Sequence, residues 1–146
     1  MDNSVNCSAL NDLLVDLHRS LLQYTAEASP WSAETDSEIS ARVLELASEQ
    51  EKSVVALVDC LRARRHFVQF GVYPAEYTSL HFVSVNYMLR RLRETEAALI
   101  ADLEASVSTF GGDLEAVQLV ESIVAREKEI QTVLNELKPS GVSTLL

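Results

Sequence analysis

Hydrophobic residues return every three or four positions in four segments of the chain, and this spacing predicts four amphipathic α-helices. The first helix is expected to run from Ser8 or Asn11 to about Ala28, because the Ser-Pro-Trp sequence that follows is unfavourable for a helix. Its apolar positions alternate steps of four and three residues: Leu10, Leu14, Leu17, Leu21 and Tyr24.

The second predicted helix carries two polar residues within its apolar stripe. Thr35 and Glu38 have the spacing of a capping box, so the helix is expected to begin beside them and to continue to about Phe67. The stripe comprises Ile39, Val43, Leu46, Gln50, Ser53, Leu57 and Cys60. A buried polar group that stays unpaired costs about 1 to 3 kcal/mol, so Gln50 and Ser53 are expected to have partners.

Two further helices follow a connection that is rich in turn residues. The segment QFGVYPAEYTS contains Gly71 and Pro74 and offers an N-cap at Thr78 or Ser79. The sequence FGGD ends the third helix, and its Asp113 is expected to cap the fourth. The third stripe comprises His81, Val85, Met88, Leu92, Thr95, Leu99 and Leu103. The fourth comprises Val117, Val120, Ile123, Val124, Glu127, Ile130, Leu134 and Leu137.

The four stripes predict an all-α protein with a single four-helix bundle domain, residues 1–146, and short flexible ends at about 1–7 and 139–146. The connection between the second and third helices leaves the topology open. About ten extended residues span roughly 33 Å, which suits a plain up-down hairpin as well as a crossover. The residues expected in the core include Leu14, Leu21, Leu46, Leu57, Leu92, Leu99, Val124 and Leu134.

Composition narrows the classes of partner. The formal net charge of −10 argues against sequence-independent binding to nucleic acid or to an anionic membrane surface. The start MDNSVNCSAL lacks the features of a signal peptide, and no apolar run approaches the roughly 20 residues that span a bilayer, so a cytoplasmic protein is expected.

The two cysteines, Cys7 and Cys60, are too few and too far apart for a disulfide scaffold or a zinc site. Both are expected to be free thiols, with Cys60 in the core.

Five polar side chains are expected at one depth of the bundle, near the midpoints of the four helices. This predicted layer consists of His18, Gln50, Ser53, Thr95 and Glu127. Its members are expected to satisfy one another, and Glu127 in particular is expected to be buried and hydrogen-bonded to one of the other four. The layer is interpreted as a structural device that fixes the register of the helices.

The segments LNDLLVDLHRSLLQYTAE and FGVYPAEYTSLHFVSVNYMLRRL, with the polar layer, resemble small bacterial proteins of the ferritin-like superfamily. The resemblance covers nearly the whole chain. Metal-binding members use a Glu from each of two helices and a Glu-x-x-His from each of the other two. The matching positions here are Gln50 and Ser53 in the second helix and Glu127 and Ile130 in the fourth, so neither motif is present. Only Glu127 matches a ligand type, while His18 is a possible ligand at a position that the pattern does not specify.

Half of the Lys and Arg residues fall in two basic clusters, which comprise Arg62, Arg64, Arg65 and His66, and Arg90, Arg91 and Arg93. They could form a site for an anion or an acidic partner. The favoured interpretation is that the first cluster complements the negative end of the second helix, while the second cluster pairs with the exposed carboxylates of Glu94 and Glu96.

Most of the aromatic residues crowd the connection around Pro74, and they comprise Phe67, Phe70, Tyr73, Tyr77, His81 and Phe82. They could line a ligand pocket or a partner surface. A plug over the open end of the bundle is the favoured interpretation.

The sequence offers no candidate catalytic residue and no cofactor site. It has no Gly-rich phosphate loop and no Ser, His and Asp set with a catalytic spacing, which favours a protein that is not an enzyme. The leading hypothesis is a non-catalytic helical protein that acts through protein contacts, as a homo-oligomer or with another protein. Leu13, Val15 or Leu119, which lie off the stripes, would form its partner face. The alternative is a degenerate ferritin-like metalloprotein with one weak metal site at His18 and Glu127.

Overall fold

The computed structural model describes residues 3–28, 37–80 and 83–138. Within these ranges the chain is all-α, as predicted, and has no β-strand. Its elements are α1 (Asn3–His18), α2 (Leu21–Ala28), α3 (Ser37–Ala63), a 3-10 helix (Ala75–Leu80), α4 (Val85–Ser106), a second 3-10 helix (Val107–Phe110) and α5 (Leu114–Glu136). None of the described helices combines the length and the apolar character needed to cross a membrane.

The first predicted helix is divided in two. α1 ends at His18 and α2 begins at Leu21, and the hydroxyl of the intervening Ser20 accepts a hydrogen bond from the backbone N–H of Gln23 at 3.3 Å. Ser20 therefore caps α2, a role that Ser has at many helix starts. α1 also begins earlier than predicted. Residues 3–7 are helical rather than a flexible end, because Cys7 is buried in the core and the amide of Asn6 donates to Asp113 at 3.0 Å.

The caps of the last two long helices differ in how well the sequence predicts them. Asp113 caps α5 as predicted, because its carboxylate accepts from the N–H of Ala116 at 3.2 Å. The prediction for the preceding helix is wrong, since α4 is capped by Ser84. Thr78 and Ser79 instead lie in the first 3-10 helix, where their hydroxyls donate to backbone carbonyls three residues earlier. The predictions for Thr35, His81, Phe82 and the ends at 1–2 and 139–146 lie outside the described residues.

Two apolar clusters form the core. The first joins α1 to the C-terminal halves of α3 and α4 and to the N-terminal half of α5. The second joins α2 to the N-terminal halves of α3 and α4 and to the C-terminal half of α5. Along the chain, α1–α2 and α5 therefore run from the first cluster to the second, whereas α3 and α4 both run from the second to the first. Two successive helices of the same direction require a crossover, which decides between the two topologies that the sequence left open.

The α3–α4 connection makes this crossover along the surface of α1. Asn11 and Gln69 exchange two hydrogen bonds of 2.9 Å, and Arg19 donates to the carbonyls of Phe70 and Gly71 at 3.2 and 3.1 Å. Gly71 has a φ of +69°, and a Cβ atom at this position would lie 2.7 Å from Cγ1 of Val15. The backbone of the connection is thus fixed tightly against α1.

The predicted core agrees with the observed one at most positions. Leu14, Leu21, Leu46, Leu57, Leu92, Leu99 and Leu134 are buried, whereas Val124 is half-buried at the edge of the first cluster. Both cysteines are free and buried, as expected. Of the residues predicted for a partner face, Leu13 is buried, whereas Val15 and Leu119 are half-buried against the connection and the first cluster respectively.

Candidate functional site in the central layer

Four buried polar side chains separate the two apolar clusters. We call them the central layer, and they are Gln50, Ser53, Glu96 and Glu127. Each occupies the middle of its helix, where the apolar stripe passes from one cluster to the other. Glu127 has no exposed surface, and its Oε1 accepts a hydrogen bond from Nε2 of Gln50 at 2.9 Å. Gln50 is one of the four partners predicted for it.

Gln50 links the central layer to the break between α1 and α2. Its Oε1 accepts hydrogen bonds from the hydroxyl of Ser20 and from the amide of Gln23, both at 2.9 Å. The amide of Gln23 also donates to the carbonyl of Ala47 at 2.8 Å. A glutamine suits this position because its side chain donates and accepts at the same time, so a fully buried amide is satisfied on both sides.

Ser53 lies one turn after Gln50 and is fully buried. Its hydroxyl accepts a hydrogen bond from Nη1 of Arg126 at 3.0 Å, so the guanidinium group of a half-buried side chain on α5 reaches into the layer. Gln50 and Ser53, the two polar residues in the second predicted stripe, thus bind different partners on α5. Together they attach the middle of α3 to the middle of α5.

Glu96 and Glu127 form a pair of buried carboxyl groups, which we call the carboxyl pair. Glu96 is 2 % exposed, and Glu127 is the neighbouring carboxyl group that acts on it. An ionised carboxylate only accepts, so two such groups can hydrogen-bond to each other only when one of them carries a proton. Burial raises the pKa of Glu96 to about 10, and the hydrogen bond and negative charge of Glu127 act in the same direction.

Two members of the predicted layer lie elsewhere. His18 is half-buried, its Nδ1 is 2.9 Å from Oε2 of Glu51, and its ring meets Phe70 edge-on with 5.5 Å between the ring centroids. Thr95 is half-buried, and its hydroxyl donates to the carbonyl of Leu92 at 3.2 Å. Neither is hydrogen-bonded to Glu127 in any contact of the described residues.

Glu96 takes the place that was predicted for Thr95. The stripe of α4 advances by four residues from Leu92 to Glu96 and then by three to Leu99, rather than by three and then by four. The interpretation of Glu96 as an exposed partner of the basic cluster is therefore wrong. The signal that would have found it is its position: a carboxyl group four residues after Leu92 and three before Leu99 fits the buried face as well as Thr95 does.

The central layer does not fit the di-metal site that a ferritin-like resemblance implies. It provides two carboxyl groups, one amide and one hydroxyl, and it contains no His or Cys. The described residues contain no group of three or more His, Cys, Asp and Glu side chains that could hold a metal ion. The weak site predicted at His18 and Glu127 is likewise not assembled, since Glu51 and Gln50 are their respective partners.

Several basic residues of the two clusters bind other groups within the chain. Arg64 forms ion pairs with Asp113 at 2.7 Å and with Glu115 at 2.8 Å, and this guanidinium holds the pKa of Asp113 well below its usual range. Arg91 pairs with Glu94, and Arg93 donates to the carbonyl of Leu134 near the end of α5. The Arg91–Glu94 pair agrees with the favoured interpretation, whereas Arg64 binds carboxylates at the start of α5 and Arg93 binds a carbonyl of α5 instead of Glu94 or Glu96. Arg62 and Arg65 are exposed.

The aromatic residues of the connection divide into two groups. Tyr73 and Tyr77 pack against Tyr24 with ring centroids 5.2 and 5.4 Å away, as a plug would. Three other apolar side chains of the connection face solvent, and we call them the loop surface: Phe67, which is 79 % exposed, Phe70, which is 39 % exposed, and Val72, which is 82 % exposed.

Comparison of the chain with protein-family models, with curated proteins and with solved structures finds no match. The function of this chain must therefore be inferred from its own residues, above all those of the central layer and the loop surface.

Proposed function

We propose that this chain is a non-catalytic protein that acts through protein contacts, and that the loop surface is where the contact is made. The observation that carries this proposal is a contrast within the connection. Its backbone is fixed against α1 by the hydrogen bonds of Asn11 and Arg19, while the side chains of Phe67 and Val72 point into solvent. Apolar side chains that stay exposed on a fixed backbone are typical of a contact surface.

A fixed backbone makes the loop surface suited to binding. Association loses less conformational entropy when the contacting segment is already ordered. Aromatic side chains are enriched at the centres of protein interfaces, and Phe67 provides one with most of its ring available. Phe70 is held in place by its edge-on contact with His18, so its exposed edge has a defined position.

The central layer supports a non-catalytic role. Its polar atoms are buried and directed towards one another, which leaves no group placed to meet a substrate from solvent. Chemistry on a bound molecule needs reactive groups that can reach it. In this proposal the central layer stabilises the fold, and the loop surface makes the functional contact.

The partner is a second copy of the chain. Arg62 and Arg65 are exposed just before Phe67, while the chain as a whole has 22 acidic and 12 basic residues. The basic and apolar connection is therefore complementary in charge to the average surface of another copy. The contact would accordingly be an apolar centre with a charged rim.

The architecture that we propose around this surface is a four-helix bundle of ferritin-like form. α1 and α2 together would count as one of its four rods, with α3, α4 and α5 as the others. The crossover between α3 and α4 supports the idea, because ferritin-like bundles contain one long crossover connection. The metal chemistry of that superfamily is not part of the proposal, since the central layer does not provide the ligands.

Sedimentation velocity at micromolar concentration tests the contact. The wild-type chain is expected to sediment as a dimer, and the variant Phe67→Ser/Val72→Ser as a monomer. Removing two exposed apolar side chains from an interface loses about 3 kcal/mol or more, which is at least a hundredfold in the dissociation constant. The fold should be unaffected because both side chains face solvent.

The matched control is Val5→Ser/Leu114→Ser, which removes two apolar side chains of similar exposure from α1 and α5. It should sediment like the wild type. A monomeric wild type would contradict self-association, and a dimer that survives in the Phe67→Ser/Val72→Ser variant would show that the contact lies elsewhere.

A further inference from the structure

The carboxyl pair lies in an unusual environment for two acidic groups. Both residues are buried between the two apolar clusters, and Oε2 of each has no donor from another described residue. Gln50 donates one hydrogen bond, to Oε1 of Glu127. One neutral donor and two unpaired oxygens, as seen among the described residues, are far from what two ionised carboxylates need when they leave water.

We propose that Glu96 and Glu127 hold one shared proton in the folded protein and lose it on unfolding, so that the central layer makes the molecule less stable as pH rises. The shared proton lets one carboxyl group donate to the other and removes the repulsion between two negative charges in contact. The remaining negative charge is stabilised by the amide of Gln50. This is a property of the interior and does not depend on the contact proposed for the loop surface.

The charged groups of α3 and α5 near the layer do not replace the proton. From α3 the layer receives Gln50 and Ser53, which are neutral, while Glu51 is bonded to His18 of α1. From α5 two cations flank Glu127 in sequence. Nη1 of Arg126 donates to the hydroxyl of Ser53 at 3.0 Å, and Lys128 pairs with Glu104 at 2.8 Å. Among the described residues, the charge that acts on Glu96 is that of its pair partner.

The groups contributed by α1, α2 and α4 are also engaged elsewhere. From the break between α1 and α2, neutral Ser20 and Gln23 reach the layer through Gln50. Arg19 donates to carbonyls of the connection, and Arg93 of α4 donates to the carbonyl of Leu134 on α5. Burial raises the pKa of Asp16 of α1, and the negative charges of Asp102 on α4 and of Asp12 act in the same direction.

The direction of the pH effect follows from proton linkage. An exposed glutamate in the unfolded chain has a pKa near 4.5, whereas burial and Glu127 raise the pKa of Glu96 to about 10 in the folded chain. The stabilisation is complete below the unfolded value and is lost as pH rises towards the folded value. Between these limits the folded chain holds one more proton than the unfolded chain, so each pH unit raises the unfolding equilibrium constant about tenfold.

Urea unfolding of the full chain at pH 6, 7 and 8 measures this dependence. The experiment is done with a chelator present and at one protein concentration, because bound metal or self-association would change the apparent stability. Relative to the Glu96→Gln variant, the unfolding constant of the wild type is expected to rise about a hundredfold over these two pH units. The glutamine side chain replaces the protonated carboxyl group with an amide that donates to Glu127 at every pH. The folded and unfolded states of this variant therefore bind the same number of protons at position 96.

The control is Glu121→Gln, which makes the same chemical change at an exposed position of α5 and should keep the wild-type pH dependence. Glu127→Gln removes the neighbouring charge but leaves Glu96 buried, and burial is the main cause of its raised pKa, so this variant should keep a pH dependence that Glu96→Gln lacks. Equal slopes in the wild type and in Glu96→Gln would overturn the proposal.

Infrared spectroscopy tests the proposal on the wild type alone, so the result does not depend on whether a variant folds. A protonated carboxylic acid has a carbonyl band that carboxylates lack, and this band is expected to persist in the folded chain at pH 7 and pH 8. Its absence at pH 7 would overturn the proposal, because no proton would then be shared.

Discussion

Gln50 shows how one side chain can decide whether a polar layer is stable. It is fully buried and contacts α5 through its amide nitrogen and the break between α1 and α2 through its oxygen. A glutamate at this position would add a third buried carboxyl group and could not donate to Glu127 while ionised. A leucine is one bond shorter and would leave the partners of Gln50 unpaired.

Gln50→Leu is therefore expected to lower the free energy of unfolding by about 2 kcal/mol or more. It leaves Oε1 of Glu127 and the hydroxyl of Ser20 buried or half-buried without their partner, and each lost buried bond costs about 1 to 3 kcal/mol. Urea unfolding at pH 7 measures the change. Gln118→Leu, at an exposed position of α5, should stay within about 0.5 kcal/mol of the wild type. A Gln50→Leu variant as stable as the wild type would mean that the layer contributes nothing to the fold.

At the scale of single residues, the sequence predicted part of the central layer. Gln50, Ser53 and Glu127 follow from the stripes of their helices. Glu96 does not, because local pattern gives Thr95 and Glu96 similar positions, and the cost of burying a lone carboxylate favours the threonine. Contact with Glu127 reduces that cost. Glu127 lies on another helix and is 31 residues further along the chain than Glu96. The pairing is tertiary information that helix periodicity does not contain.

At the scale of elements, the connection between α3 and α4 depends on one glycine. Gly71 adopts a left-handed backbone with φ of +69° and lies against the side chain of Val15. The absence of a Cβ atom allows both the backbone conformation and the close approach. The connection can therefore follow α1 closely enough for Asn11 and Arg19 to bond its backbone.

Gly71→Ala is expected to be destabilising for two separable reasons. The left-handed conformation costs an alanine about 1 to 2 kcal/mol, and the new methyl group would meet Val15 at 2.7 Å. Gly111→Ala is a control for backbone strain without a steric contact, since Gly111 has a positive φ and open space around it. Thermal melting should show a loss for both variants, and only the loss at Gly71 should depend on Val15.

A double-mutant cycle with Val15→Ala isolates the contact with α1. Gly71→Ala should cost less in the Val15→Ala background, because the shorter side chain makes room for the methyl group. If Gly71→Ala and Gly111→Ala cost the same and no coupling with Val15 is found, the connection is not held against α1 as described.

The elements themselves were largely predictable, because each long helix has a clear apolar period. Two features were not. The break at Ser20 leaves the stripe of Leu17 and Leu21 uninterrupted, so the periodicity gives no sign of it. The crossover was equally invisible, since the reach of the connection allowed either topology, and the choice is made by contacts such as those between Asn11 and Gln69.

At the scale of the whole molecule, the interior is divided into two apolar clusters with a layer of paired polar groups between them. Comparing the depths of the helices predicted that polar residues would meet near the middle. The structure adds that the layer is closed to solvent, because its four side chains are buried and Gln50 and Ser53 are hydrogen-bonded to residues of α5.

The most direct test of a closed, metal-free layer is elemental analysis of the full chain, purified without chelator. We expect iron, manganese and zinc each to be far below one atom per chain, because the central layer offers two carboxyl groups and no histidine. The Glu96→Gln and Glu121→Gln variants, buried and exposed respectively, should give the same low values as the wild type. A stoichiometric metal content that is lost in Glu96→Gln and kept in Glu121→Gln would contradict this expectation, because the central layer would then be a metal site.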